Sequence, residues 1–459
     1  MPDNNNLSTI KNVYFIGIGG VSMSSLALIL KSLGKSVSGY DFKHSEITDM
    51  LEQNGVHIDY TASDADLSGC DTIVFTAAIS EDDPVYKAAI SQNKRILSRA
   101  ELLGMVTGGY RMSIGVAGTH GKSTTTGFLA QILLESDSDA TILAGAALPA
   151  LGGMYRVGSG DIAAFEACEY KNSYHHMHPT VKVVLNCELD HVDFFKNLDA
   201  VIDSFTTYLN IPGSGGVNIG VVNLDNKNAV KAAELSNADV RYFSIENKNA
   251  DFYAQNIDLS TGFAKFDLFS KEQGFLFKAE LCVPGLHNVS NAVAAALAAH
   301  VCGIDIKAIQ KGLCEFTGVK RRFERIGTLP CGALVIDDYA HHPDEIRATL
   351  SAAKKVAKGR VICVFQPHTY SRTKALLGNF ASALSDCDKV ICAKIYPARE
   401  KDIFNISSAD LAELIPNAEC MDSFSEIAAY IQNNAQPDDM IITMGAGDIY
   451  KVSDYLLFA

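Results

Sequence analysis

The chain has 459 residues, 47% apolar and 20% charged, with 39 Lys and Arg against 53 Asp and Glu. One core does not grow to that length, so two to four domains are expected, and the apolar share is that of a folded globular protein. A net charge of −14 argues against nucleic acid or an anionic membrane as partner, though not against ATP, which local N–H groups and a few cations can hold.

The first expected strand is residues 12–16 (NVYFI), and Gly17-Ile-Gly19-Gly20 then turns into an apolar helix over 23–33. An early strand–glycine–helix turn is a ready diphosphate site. As a dinucleotide fingerprint it is weak, because the third position is Ser22. A second strand, Ser36 to Tyr40, ends at Asp41, where a ribose-binding acid can lie. NAD and other diphosphates stay open, beside the plainer reading of a packing turn. Strands at 71–76 and 95–97 complete a doubly wound parallel sheet, and VTGGY at 106–110 reads as a linker.

A second unit opens with the strand 112–117, then GTHGKS at 118–123, then a helix over 124–134. Strand, glycine turn, Lys-Ser and helix N-terminus make a phosphate cradle. Lys122 is expected on the β- and γ-phosphates and Ser123 on Mg2+. The full-length phosphate loop has a glycine five residues before Gly121, and Val116 stands there. This is the shorter form, GTxGK[S/T], which points away from GTPases and motor ATPases.

Strands follow at 162–165, 181–185 and 220–222, an antiparallel stretch at 251–283, and an alanine-rich helix at 292–301, with the unit ending near 325. Glu166 and Glu169 follow one strand and Asn186 to His191 another, so both groups lie at the ligand-binding edge. The carboxylates suit Mg2+. His191 is left open between a structural and a metal role. Tyr174-His-His-Met-His178 lacks partners at zinc spacing and is read as exposed or lining a cleft. Asn288 is a candidate helix cap, and His287, Asn288 and Asn291 are candidate adenine contacts, two readings that are compatible. Arg322, in the charged run 320–324, suits a developing phosphoryl charge.

The third unit has strands at 333–336, 361–365, 389–393 and 440–443, with helices at 343–356, 373–384 and 424–433. Asp337-Asp338-Tyr339-Ala-His341-His342-Pro343 and His368-Thr-Tyr-Ser-Arg372 both follow strands, and Arg372 suits a carboxylate. Eleven scattered cysteines without a CxxC pair argue for a reducing, cytoplasmic setting. The opening MPDNNNLSTIK has no signal-peptide apolar segment, and no stretch approaches membrane-spanning length.

Taken together, FIGIGG at 15–20, GTHGKS, NCELDH, GLHNVSN, GVKRRFE, DDYAHHP, HTYSR and GAGD at 445–448 resemble the Mur ligase family over nearly the whole chain. The resemblance implies an α/β protein of three domains. These are a Rossmann-like domain at 1–107 for a UDP substrate, a central phosphate-loop ATPase domain with a mostly parallel sheet at 108–326, and a Rossmann-like domain at 327–459 that holds the amino acid. It implies ATP and Mg2+ as cofactors, two metal ions by expectation with Mn2+ as a substitute. UDP-N-acetylmuramate and L-alanine are the implied substrates, joined through an acyl phosphate, with a tripeptide-recycling member as the second reading. A monomer or homodimer is expected.

By residue, the resemblance assigns ATP to Gly118, Thr119, His120, Gly121, Lys122, Ser123, Thr124, His287, Asn288, Asn291, Arg322 and Asp338. It assigns the metal to Ser123, Glu169 and His191, and the UDP substrate to Gly17, Gly19, Gly20, Asp41, Asn186 and His191. The amino acid goes to Tyr339, His342 and Arg372, and catalysis to Lys122, His191, Arg322 and His342. Departures are Ser22 and Ser25 where the family has glycines, Ser123 for Thr, and Cys168 for Asp.

Overall fold

The computed structural model describes residues 7–76, 79–80, 82–191, 194–398 and 400–457, so most of the polar opening, residues 1–6, lies outside it. Three sheets organise the chain. The first is built from β1 (Asn12–Ile16), α1 (Val21–Ser32), β2 (Ser36–Tyr40), α2 (Glu46–Gln53), β3 (His57–Asp59), β4 (Thr72–Phe75), α3 (Pro84–Ser91), β5 (Arg95–Ser98) and α4 (Arg99–Thr107). Its strands run parallel in the order β3-β2-β1-β4-β5. Val13 to Ile16 are at most 1% exposed, as a strand covered on both faces requires. The residues expected to begin a linker at 106 are still helix. Ser98 and Glu101 form a reciprocal capping box that starts α4, the S-x-x-E signature of a helix start, and the linker begins at Gly108.

The second sheet comprises β6 (Met112–Ala117), α5 (Lys122–Leu134), β7 (Thr141–Leu148), β8 (Gly153–Arg156), β9 (Ile162–Glu166), β10 (Val181–Val184), α6 (Leu198–Asn210), β11 (Ile219–Asn223), α7 (Lys227–Glu234), β12 (Asp239–Ser244), β13 (Phe252–Asp258), β14 (Phe263–Ser270) and β15 (Gly274–Pro284), followed by α8 (Leu286–Val301) and α9 (Ile306–Glu315). Its order is β15-β14-β13-β12-β11-β10-β6-β9-β7-β8. β6 lies between β10 and β9, parallel to both, so the segments that leave these three strands emerge at one edge. Burial alternates along β14 and β15, which is the period-2 pattern that marked them as strands.

The third sheet holds β16 (Glu324–Thr328), β17 (Leu334–Asp338), α10 (Pro343–Val356), β18 (Val361–Phe365), α11 (Tyr370–Ala375), α12 (Leu377–Leu384), β19 (Lys389–Ala393), α13 (Ser408–Ala412), β20 (Ala418–Met421), α14 (Phe424–Asn434), β21 (Met440–Met444) and α15 (Lys451–Leu457). The order is β16-β17-β21-β18-β19-β20, with only β16 antiparallel to its neighbour. Residue 326, the expected last residue of the central domain, falls inside β16. The single helix expected over 373–384 is two, meeting at Leu376.

Packing divides the chain into two compact units. One is Met1–Ala254 with Leu268–Phe277 and Ser290–Leu313; the other is Gln255–Asp267, Lys278–Val289 and Cys314–Ala459. All eleven cysteines are free thiols, and only Cys282, Cys331 and Cys420 are exposed. Among the described residues no helix is long and apolar enough to cross a membrane.

Candidate functional site

GTHGKS forms the turn between β6 and α5. Gly121 is the N-cap of α5 with φ +85°, a left-handed conformation that side chains resist, and a Cβ there would lie 2.6 Å from Asn291 Oδ1 of α8. Asn291, an expected nucleotide residue, therefore borders the loop. Asn186 straps the loop from the next strand end: its Oδ1 accepts from the His120 N–H at 2.7 Å and its Nδ2 donates to the His120 carbonyl at 3.0 Å. The Thr119 hydroxyl accepts from the Glu188 N–H at 2.9 Å. Asn186, expected on the UDP substrate, has its amide engaged with the phosphate loop. Thr124 lies in the first turn of α5.

Lys122 folds back on the loop. Its Nζ donates to the Gly118 and Thr119 carbonyls at 2.6 and 3.1 Å and meets Glu169 at 3.0–3.1 Å. His191 Nε2 approaches the same carboxylate at 3.5 Å. Glu169 is 2% exposed. Burial works against its charge, but Lys122 and the His191 hydrogen bond overcome that and lower its pKa. Burial likewise opposes the Lys122 charge, and Glu169 with Cys168 and Glu166 more than offsets it. For His191, burial is outweighed by the Glu169 hydrogen bond and the Asp190 charge, so the protonated form is favoured. The result is a Lys–Glu–His cluster around the buried Glu169 at the N-terminus of α5, with the Tyr170 ring 4.7 Å from that of His191.

Ser123 does not join this cluster. Its hydroxyl donates to Glu166 Oε2 at 2.8 Å. The expected metal set is thus divided, with Ser123 beside Glu166 and with Glu169 and His191 beside Lys122. Mg2+ uses one or two carboxylates and completes its shell with water and phosphate oxygens, and Ser123 with Glu166 fits that donor chemistry. Among the described residues no three His, Cys, Asp or Glu side chains converge as a metal-holding group.

The N-terminal turn is different. The Gly17 and Ile18 N–H groups donate to the Tyr40 carbonyl at 2.8 and 3.1 Å, and that of Gly20 to Gly17 at 3.2 Å. Gly19 N–H donates to Asp41 Oδ2 at 2.9 Å, and a Cβ on Gly19 would meet that oxygen at 2.8 Å. Asp41 also accepts from the Lys43 N–H at 3.2 Å. Ser25, one of the departures from the family pattern, turns its hydroxyl back to the Val21 carbonyl at 3.1 Å. Ser22 accepts from Arg99 at 3.2 Å.

In the second unit, Arg321 and Phe323 take left-handed φ of +61° and +51° on either side of Arg322. Arg321 is tied down through Asp337 at 2.9 Å and the Gly445 and Gly447 carbonyls at 2.7 and 3.1 Å. Arg322 lies 5.2 Å over the Tyr339 ring and 3.8 Å from Glu345. Asp338, expected on ATP, accepts the Phe323 and Ala340 N–H groups at 2.8 and 2.7 Å, and burial raises its pKa to about 6. His342, expected in catalysis, is the N-cap of α10, in a capping box with Glu345. It is His341 that neighbours the functional candidates. Its ring is 5.3 Å from Tyr339 and 6.0 Å from His368, and burial, with Arg372 and Arg322 adding to it against Glu345, holds it down at about 4. Pro343 was the signal for this assignment, because proline at the first helical position makes the preceding residue the cap. α8 begins at Leu286, so Asn288 lies in its first turn rather than capping it, and its amide donates to the Pro284 carbonyl at 2.7 Å. His287 packs against Gly285, where a Cβ would meet the ring at 2.7 Å.

His175, His176 and His178 line a cleft of about 700 Å3 with Glu101, Met105 and Pro212. His175 Nε2 bonds the Ser204 carbonyl at 2.9 Å, and its ring stacks on Tyr174.

Three family descriptions match the chain in series: "Mur ligase family, catalytic domain" over residues 12–111, "Mur ligase middle domain" over 116–299 and "Mur ligase, glutamate ligase domain" over 321–447. The UDP-N-acetylmuramate--L-alanine ligase of Acetivibrio thermocellus is 44% identical over 452 residues, covering 97% of this chain and 96% of the relative. That of Clostridium perfringens is 42% identical over 452 residues, covering 97% and 98%. The crystal structure of the UDP-N-acetylmuramate-alanine ligase of Thermotoga maritima has a TM-score of 0.81 at 26% identity, covering 97% of this chain and 98% of that one. A murein peptide ligase from Psychrobacter arcticus shares the fold, with a TM-score of 0.69 at 24% identity and coverage of 97% and 98%.

Proposed function

The chain belongs to the Mur ligase family, and from that premise we propose that it joins L-alanine to the lactyl carboxylate of UDP-N-acetylmuramate with conversion of ATP to ADP and phosphate. The observation that carries the reading is the Lys122–Glu169–His191 cluster at the phosphate-loop helix, in a chain 44% identical over 97% of its length to a ligase of that name.

The lactyl carboxylate attacks the γ-phosphorus, ADP leaves, and an acyl phosphate forms. The amine of L-alanine attacks its carbonyl carbon and loses a proton as phosphate departs. No enzyme nucleophile is needed, so the protein's contribution is position and charge. Lys122 exchanges its loop carbonyls for phosphate oxygens, while Glu169, itself contacted by His191, holds its ammonium group. The N–H groups at the start of α5 add positive potential. Ser123 and Glu166 would hold Mg2+, which would neutralise charge on the transferring phosphoryl group. The Gly17–Gly20 turn takes the UDP portion. Arg372, close enough to His341 and His368 to act on their charge, takes the amino-acid carboxylate.

The test is phosphate release by the purified protein with ATP, Mg2+ and UDP-N-acetylmuramate, compared across L-Ala, Gly, L-Ser and a tripeptide. L-Ala is expected to give the highest kcat/KM. Release with the tripeptide alone would replace this reading by the recycling activity.

A further inference from the structure

Arg99 opens α4 directly beyond β5. The sheet order reverses between β1 and β4, and an open α/β sheet takes its ligand in the crevice outside the strand ends at such a reversal. β1 runs into the Gly17–Gly20 turn on one side of that crevice, and β5 runs into Arg99 on the other. The Arg99 side chain reaches across, its Nη1 donating to Ser22 Oγ at 3.2 Å in the first turn of α1.

Arg111, Arg156, Arg241, Arg321 and Arg360 have carboxylate partners in Asp161, Asp139, Asp239, Asp337 and Asp439. Arg99 forms no such ion pair among the described residues; its recorded partner is a neutral hydroxyl. Burial pushes its pKa down, and the Cys168 thiol is close enough to act on its charge. Cys168 adjoins Glu169, so the guanidinium that bonds Ser22 also feels the segment that follows β9. A cation taken from water without a counter-ion is unfavourable, and a guanidinium offers the planar donor fork that matches phosphate oxygens. The acid of this crevice, Asp41, is engaged with the Gly19 and Lys43 N–H groups.

We propose that Arg99 is a substrate-binding residue whose guanidinium takes the diphosphate of the nucleotide-sugar substrate, with the Ser22 hydroxyl holding it aimed at the glycine turn between substrates. This rests on the reading of the Gly17–Gly20 turn as the UDP site. Ser22, a departure from the family's glycine, then supplies the donor fork with a partner that yields easily to an anion.

Calorimetric titration of the full-length protein with UDP-N-acetylmuramate, UDP and uridine separates the outcomes. Arg99→Met is expected to weaken UDP and UDP-N-acetylmuramate about 10- to 100-fold, the worth of a charge-assisted hydrogen bond or two, while uridine is unchanged. Arg99→Lys should recover part of the loss and guards against a folding defect in Arg99→Met, which a thermal melt also monitors. An unchanged ratio of UDP to uridine affinity in Arg99→Met would overturn the proposal, as would an equal loss for both ligands. Failure of the unmodified protein to bind UDP at all would instead remove the reading of the glycine turn.

Discussion

The molecule builds the strand–glycine–helix turn twice in one unit, and the two turns differ in where their charge comes from. The phosphate loop carries its cation within itself, as Lys122, and the end of the neighbouring strand β9 supplies the acids Glu166 and Glu169. The N-terminal turn carries no cation, has the acid Asp41 hydrogen-bonded onto it, and receives its guanidinium from Arg99 two strands away. Similar backbone geometry is thus given different ligands by the side chains of adjacent strands. A strand–glycine–helix pattern predicts that an anion binds; the flanking charges decide which one.

The largest expected effect is at the internal cation. Lys122→Ala should lower ligation by about 10²–10³-fold or more, the scale of losing a group that stabilises transition-state charge. Phosphate release measures it, and near-normal turnover would sink the assignment of this loop to ATP. Next is the acid side of the comparison. Glu169→Gln leaves Lys122 buried without its counter-charge and should reduce unfolding free energy by about 3–5 kcal/mol, whereas Asp41→Asn alters a half-exposed hydrogen bond worth about 1 kcal/mol. Denaturant titration compares them, and equal losses would erase the distinction between the turns. A smaller effect belongs to Asn186→Ala. Loss of the strap on His120 should raise the KM for ATP about tenfold, one or two hydrogen bonds' worth, and leave that for the UDP substrate alone. The reverse pattern would make Asn186 a substrate contact after all.

Lys182 on β10 serves as the control, with no expected effect on either KM. It is fully buried, donates to the Pro179 carbonyl and Asn218 Oδ1 at 2.7 and 2.8 Å, and burial lowers its pKa to about 7. A lysine whose folded pKa is depressed binds its proton less tightly in the native state than in the unfolded one. Its penalty is complete below about pH 7 and is relieved as pH rises toward the ordinary lysine value. Stability should therefore climb with pH above about 7, by as much as a few kcal/mol, and Lys182→Met should flatten that rise. A rise unchanged in Lys182→Met would assign it to other groups.

Much of the fold was legible because the core strands are short apolar runs between glycines and polar turns. NVYFI at 12–16, MSIGVA at 112–117, VICVF at 361–365 and KVICA at 389–393 all stand as strands within the ranges expected. The segments TILAGAAL and GMYR, which form β7 and β8, were not picked out, since small residues without alternation give no period to read. At the site, residue types and strand ends put Lys122, Glu169 and His191 at one sheet edge, because each needs only its own strand to reach it, while the role of His191 stayed open. What sequence could not give was pairing between strands. That Ser123 meets Glu166, that Asn186 holds His120 and that Arg99 reaches Ser22 are consequences of strand order. His341 was hidden differently, as two adjacent histidines share one motif and only the helix start at Pro343 tells which is the cap.

The distribution of thiols has a practical consequence. Cys282, Cys331 and Cys420 are exposed and all belong to the second unit, whereas Cys70, Cys168, Cys187 and Cys302 of the first are buried or half-buried. A maleimide dye at limiting dose should therefore report on the second unit and leave both glycine turns unmodified. The dye's emission would then follow changes within the second unit during turnover, without introducing an engineered cysteine.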